Sequence, residues 1–168
     1  LSSAGTGGVS HLTIELLQAA SKGRLIHVPY KGDAPAVAEL LGGQIQFIIS
    51  SAPALLPHIK VGRLRAFGVT TEKRSAELPD VPAIAEVLPG YESSAWFGLF
   101  APGRMAPMLT RRLSDAARQA IASPDVRRRL EGDGASAVGN SPEDFGRFVQ
   151  TEIERWAKVV RFSGAKPE

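Results

Sequence analysis

The sequence predicts an α/β fold whose sheet is mainly parallel. Three observations lead there. Short β-branched runs alternate three times with helix-patterned stretches before residue 71, the connections between them are short, and Ile48-Ile49 sets two apolar residues side by side, as in a strand buried on both faces. The 168 residues, 43% of them apolar, suffice for a real core.

The chain opens on a glycine-rich run, Gly5-Thr6-Gly7-Gly8, followed by Val9-Ser10-His11. Glycines let successive backbone N–H groups turn towards one point, and a helix starting at Ser10 adds unpaired donors and the positive end of its dipole. The stretch reads as a cradle for a carboxylate or phosphate, although the same pattern also serves as a plain turn before a helix. Residues 9–22 then place Leu12, Leu16, Ala19 and Ala20 on one apolar stripe, a helix that Gly23 stops. Residues 24–30 (RLIHVPY) read as a strand with a tight exit at Lys31-Gly32. Asp33 can cap a second helix, with Pro35 in its first turn, that runs to Gly42-Gly43. Residues 44–50 (QIQFIIS) form the second strand, 54–61 a short helix closed by Gly62, and 65–70 (RAFGVT) the third strand. Ligands of such sheets collect at the carboxyl ends of strands, here Tyr30, Ser50 and Thr70.

Residues 71–82 are polar and carry Pro79 and Pro82, which predicts a loop. Residues 93–102 (SSAWFGLFAP) are the most apolar segment and read as a long core strand, too short to span a bilayer. Three helical patterns follow at 107–123, 124–130 and 142–162, with a short strand expected at 135–139. Ser123-Pro124 and Ser141-Pro142 each pair a cap residue with proline at the first helical position.

Several chemistries find no support. Twenty Lys and Arg against 17 Asp and Glu give a net charge of +3 and a pI near 9.5, yet the basic residues are scattered except in Arg111-Arg112 and Arg127-Arg128-Arg129. Without a basic stripe interleaved with aromatics, nucleic acid is not the expected partner. Cysteine is absent, which removes disulfides and thiolate metal sites. His11, His27 and His58 have no metal-ligand spacing, and no GxSxG elbow marks any serine as a nucleophile, so neither a metal, a cofactor nor a catalytic residue is assigned. Tyr30, Trp96 and Phe97 could wall a pocket or serve as plain core.

The runs HVPYKG (27–32), APAVAELLGGQIQ (34–46), GRLRAFGVTTEKRSAELPDVPAIAE (62–86), PGYESSAWFGLFAP (89–102) and EIERWAKVVRFSGAK (152–166) resemble the tripartite tricarboxylate transporter substrate-binding proteins, the Bug or TctC family. The resemblance covers nearly the whole chain. It implies a periplasmic-binding-protein-like fold (type II) of two α/β lobes, a non-enzymatic extracytoplasmic binder of a small mono- or dicarboxylate, and membrane transporter subunits as partners. It implies a periplasmic location as well, although this sequence shows no signal peptide pattern. The glycine loop matches the family's GxG loop entering a helix with a histidine near its start, and together with the strand ends and aromatic residues named above the expected ligand-binding residues are Gly5, Thr6, Gly7, Gly8, Ser10, His11, Tyr30, Ser50, Ser51, Trp96 and Phe97.

This sequence departs from the family in three ways. Members are nearly twice as long and begin with a first-lobe strand and a Pro-Gly-Gly loop, so the resemblance implies an N-terminally truncated fragment. In it, residues 1–88 would form a near complete second lobe and 89–168 the returning part of the first. Gly8 stands where members often carry Ser or Thr, and Ser50 where many carry Asp, which exchanges a negative charge for a group able to donate to an anion. A partial lobe would expose the apolar faces of 93–102 and of the helix from Pro107, which predicts self-association. An effector-sensing domain of a transcription regulator shares the two-lobed architecture, but no helix-turn-helix segment is present. A small α/β hydrolase would need a histidine and an acid converging on one serine.

Overall fold

The computed structural model describes residues 1–165; the last residue of the run ending at Lys166 lies outside the described residues. Two compact units emerge, one formed by Leu1–Ala95 with the chain from Trp156 onward, the other by Trp96–Arg155.

In the first unit a two-residue strand, β1 (Ser2–Ser3), pairs in parallel with β2 (Val28–Pro29). On its other side Ser2 forms a parallel bridge to Ile48, with the Ser2 amide donating to Phe47 O at 2.9 Å and the Ile49 amide to Ser2 O at 3.1 Å. Three parallel segments thus lie side by side with β1 in the middle. Each is followed by a helix: α1 (Val9–Ser21), α2 (Asp33–Leu41) and α3 (Ala52–Lys60). The parallel α/β architecture expected from the alternation is what forms.

The strands are shorter than their patterns suggest. Of residues 24–30, only Val28 and Pro29 join the ladder. Upstream of them Leu25 spends its amide on Gln18 Oε1 at 2.8 Å. Pro29 has no N–H to give and sits at the edge, while Tyr30 resumes the ladder by donating to Ser3 O at 3.1 Å. Residues 44–50 contribute a bridge rather than a strand, and Ile48 and Ile49 are half-buried instead of buried on both faces. Residues 65–70 do not join this sheet. Val69 bridges in parallel to Ala83, just before a 3-10 turn at Ile84–Glu86. Helix α1 ends on Lys22, which takes the left-handed conformation (φ 56) in place of Gly23, and it begins at Val9 with Gly8 as N-cap in place of Ser10. Its buried face is His11, Leu12, Thr13 and Ile14, whereas Ala19 and Ala20 are exposed. Asp33 likewise lies inside α2, with Gly32 (φ 108) at the N-cap.

The core of this unit combines Leu12, Ile14, Ala36, Val37, Leu56, Ala83, Tyr91 and Val159 with buried Ser2, Ser3, Thr13 and Ser93. The polar members are satisfied. Thr13 Oγ1 donates to Val9 O at 2.7 Å and lies 2.6 Å from Ser93 Oγ, and the Tyr91 hydroxyl reaches Thr13 O at 3.4 Å. Burial pushes the Tyr91 phenol up to about 12.

The second unit is helical. It holds α4 (Pro107–Ala122), α5 (Pro124–Gly132) and most of α6 (Pro142–Ser163), whose start Ser141 caps by accepting the Asp144 amide at 3.0 Å. Residues 93–102 are not the expected core strand. The Ser93 amide donates to Thr70 O at 2.8 Å, but from there no ladder continues among the described residues, and Phe97, Leu99 and Phe100 are exposed. Trp96 and Phe100 instead pack edge-on or tilted against Phe145 of α6, with ring centroids 5.7 and 5.3 Å apart. Residues 135–139 are irregular as well.

Candidate functional site

The loop from Ala4 to Gly8 leaves the carboxyl end of β1 and enters α1. Glycine is required at two of its turns, since Gly5 has φ 154 and Gly7 has φ 76. The loop is braced from within. The Ala4 amide donates to Ser10 Oγ at 3.1 Å, the Gly5 amide to Ser3 Oγ at 3.3 Å and the Gly7 amide to His11 Nδ1 at 3.0 Å. The first bond of the helix runs from the Leu12 amide to Gly8 O at 3.0 Å. The amides of Thr6, Gly8, Val9, Ser10 and His11 have no partner among the described residues, and the last three carry the positive end of the α1 dipole.

Two histidines stand behind this loop. The His11 and His27 rings stack with centroids 4.0 Å apart and planes 8° from parallel. His27 Nε2 lies 2.6 Å from Ser3 Oγ, and His11 Nε2 lies 3.6 Å from Glu15 Oε1. Burial first, and then the His11 ring, hold His27 down to about 4. His27 is therefore uncharged near neutrality. Sequence reasoning placed His27 inside a strand and gave it no role; its partner is far along the chain and no local pattern announces the pair.

Two further helix starts share the edge. The Gly32 amide donates to Ala4 O at 2.8 Å, which ties the start of α2 to the glycine loop. Ser50 donates its hydroxyl proton to Asp33 Oδ1, so that donor is already engaged. Ser51 caps α3 through its backbone, with the Ala54 amide reaching Ser51 O at 3.1 Å and no side-chain cap bond. Tyr30 is half-buried and joins through its backbone. Gly5, Thr6, Gly7, Gly8, Ser10, His11, Tyr30, Ser50 and Ser51 all lie at strand-to-helix junctions of the first unit. Trp96 and Phe97 belong to the second unit. There Trp96 donates its ring N–H to Glu152 Oε2 at 3.2 Å, and Phe97 is 92% exposed.

Parallel strands opening into helix N-termini, with glycine-shaped backbone donors at their shared edge, make an α/β fold whose candidate site lies at the carboxyl ends of its strands. The family model of the tripartite tricarboxylate transporter family receptor (TctC) matches residues 1–164, and the chain belongs to that family. A UPF0065 protein encoded between clcB and clcD in Pseudomonas knackmussii is 38% identical over 159 residues, 94% of each chain. Protein BugT of Bordetella pertussis is 38% identical over 161 residues, 95% of this chain and 49% of its own. The chain thus spans nearly all of the first relative and about half of the second. Among solved structures, a Rhodopseudomonas palustris protein with adipate superposes with a TM-score of 0.90 at 34% identity, covering 99% of this chain and 56% of that one. MatC from the same species, with bound malate, gives 0.84 at 33% identity and covers 95% and 55%. The periplasmic binding protein BugD gives 0.87 at 30% identity, covering 99% and 57%.

Proposed function

We propose that this chain forms the carboxylate-holding part of a periplasmic solute-binding receptor that serves a tripartite tricarboxylate-type transporter and performs no catalysis. The observation that carries the reading is the set of unpartnered amides at Thr6 and Gly8–His11, turned to a helix N-terminus at the carboxyl edge of a parallel sheet. A carboxylate placed there accepts backbone donors in charge-assisted bonds worth about 1.5–3 kcal/mol each. The adipate and malate found in two similar structures make small dicarboxylates and hydroxycarboxylates the first candidates. Gly5, Thr6, Gly7, Gly8, Ser10 and His11 would hold the anion or shape the loop, and Tyr30, Ser50 and Ser51 would border it. Trp96 and Phe97 would serve in the other lobe. In this reading residues 1–88 supply one lobe and 89–168 part of the other, and the transporter's membrane subunits are the protein partners.

A hydrolase is the reading to weigh against it, because Ser3 Oγ and His27 Nε2 approach to 2.6 Å. The pair lacks what nucleophilic catalysis needs. Ser3 has 0% exposure and sits behind the loop, and an imidazole held near 4 is a weak base. Calorimetric titration of the chain with adipate, malate and the neutral dimethyl ester of adipate tests the proposal. Binding of the free acids at least about tenfold tighter than the ester is expected. Equal binding of the ester, or an esterase rate lost in Ser3→Ala, would overturn it.

A further inference from the structure

We propose that His11 and His27 are positioning residues for the anion loop, a stacked pair of uncharged imidazoles that keeps Gly5 and Gly7 in ligand-receiving shape; this rests on the reading of the loop given above. The two rings grip it at two points. His11 Nδ1 accepts the Gly7 amide at 3.0 Å, which it does only while that nitrogen is bare, so the ring's proton resides on Nε2, 3.6 Å from Glu15 Oε1. His27 Nε2 holds Ser3 Oγ at 2.6 Å, and the same oxygen lies 3.3 Å from the Gly5 amide and 3.1 Å from Gly5 O. Gly7 is fixed through one imidazole and Gly5 through the other.

Charge on either ring works against the arrangement. A proton on His11 Nδ1 turns the acceptor into a donor that faces the Gly7 N–H, and the bond becomes a repulsion. A proton on His27 lies in a partly desolvated position with the His11 ring 4.0 Å away, face to face. The charged groups around the pair are few. Glu15 of α1 faces His11, His11 itself bears on His27, and β1 presents the uncharged Ser3. Burial, the largest of these influences, keeps His27 near 4 and uncharged at neutral pH, while His11 Nδ1 accepts the Gly7 amide only as a bare nitrogen. A proton on His11 Nδ1 releases Gly7, changes the direction of the neighbouring amides and weakens their hold on a carboxylate.

The test follows the Gly7 amide resonance of the whole chain and the imidazole nitrogens from about pH 7 to about pH 3.5. His11→Asn, His27→Gln and His11→Phe are followed alongside. The asparagine of His11→Asn would present an amide oxygen near the Nδ1 position, the glutamine of His27→Gln would present an amide near Nε2, and neither titrates. In the parent chain the Gly7 resonance should move together with the His11 ring; it should stay still in His11→Asn and lie at the released position at every pH in His11→Phe. Adipate is the binding probe. Its affinity should fall on acidification about tenfold further for the parent than for the His11→Asn, His27→Gln double variant, which removes adipate's own protonation from the comparison. A Gly7 resonance that stays fixed while the rings titrate, or adipate affinity that rises as they protonate, would overturn the proposal. Failure of adipate to bind at about pH 7 would instead sink the receptor reading, and the Gly7 resonance would still decide this one.

Discussion

Among single residues, His27 shows how burial can outweigh composition. An exposed imidazole titrates near 6.5, but here burial and the stacked His11 ring hold the value down to about 4. The linkage has a definite sign. Between those two values the unfolded chain binds a proton at this position that the folded chain refuses, so acidification favours unfolding. The stability that neutral His27 contributes is complete above about 6.5 and is lost as pH falls towards about 4. Thermal unfolding midpoints should therefore drop over this window, and the drop should be shallower in His27→Gln. Parallel pH profiles for the two chains would contradict the assignment. The glycine loop was legible in the sequence because glycine spacing and a helix start are local signals. What lay hidden is how the loop is braced. Gly7 spends its amide on His11 and Ser50 spends its hydroxyl on Asp33, so neither donor is open to a ligand in the way the residue types suggest.

Among the elements, the helices were readable to within two or three residues, because caps, prolines and apolar spacing are written along each segment. Ser141-Pro142 starts α6 and Ser123-Pro124 starts α5 as their sequences predict. Strands were not readable to the same degree, since a strand exists only where another segment supplies hydrogen-bond partners. The central strand is Ser2-Ser3, with no apolar pattern at all, while the most apolar run of the chain, 93–102, forms none. That run packs by its aromatic rings instead. A Cβ added at Gly98 would meet Phe145 Cζ at 2.2 Å, so the glycine lets the backbone approach the cluster of Trp96, Phe100, Phe145 and Phe148. Gly98→Ala should push Phe145 aside and destabilise the second unit by about 1–3 kcal/mol. Denaturant unfolding followed by tryptophan fluorescence would measure it, and an unchanged midpoint would show that the ring moves away at no cost.

For the molecule as a whole, the family and its fold follow from the parallel sheet, the loop and the match over residues 1–164, whereas the ligand does not. The apolar run of the second unit is exposed, and the chain spans about half the length of several of its relatives. Everything proposed for the site depends on backbone amides at the head of α1 receiving a carboxylate. Mapping amide chemical shifts during an adipate titration, with Gly7→Val beside the parent chain, is the sharpest check. The substitution forces a β-branched residue into φ 76, which costs about 1–2 kcal/mol in backbone strain and should distort the loop while leaving the sheet intact. The largest shifts should fall on Thr6, Gly8, Val9, Ser10 and His11 in the parent and should vanish in the variant. Shifts centred elsewhere, or a Gly7→Val chain that reproduces the parent's map, would contradict the claim.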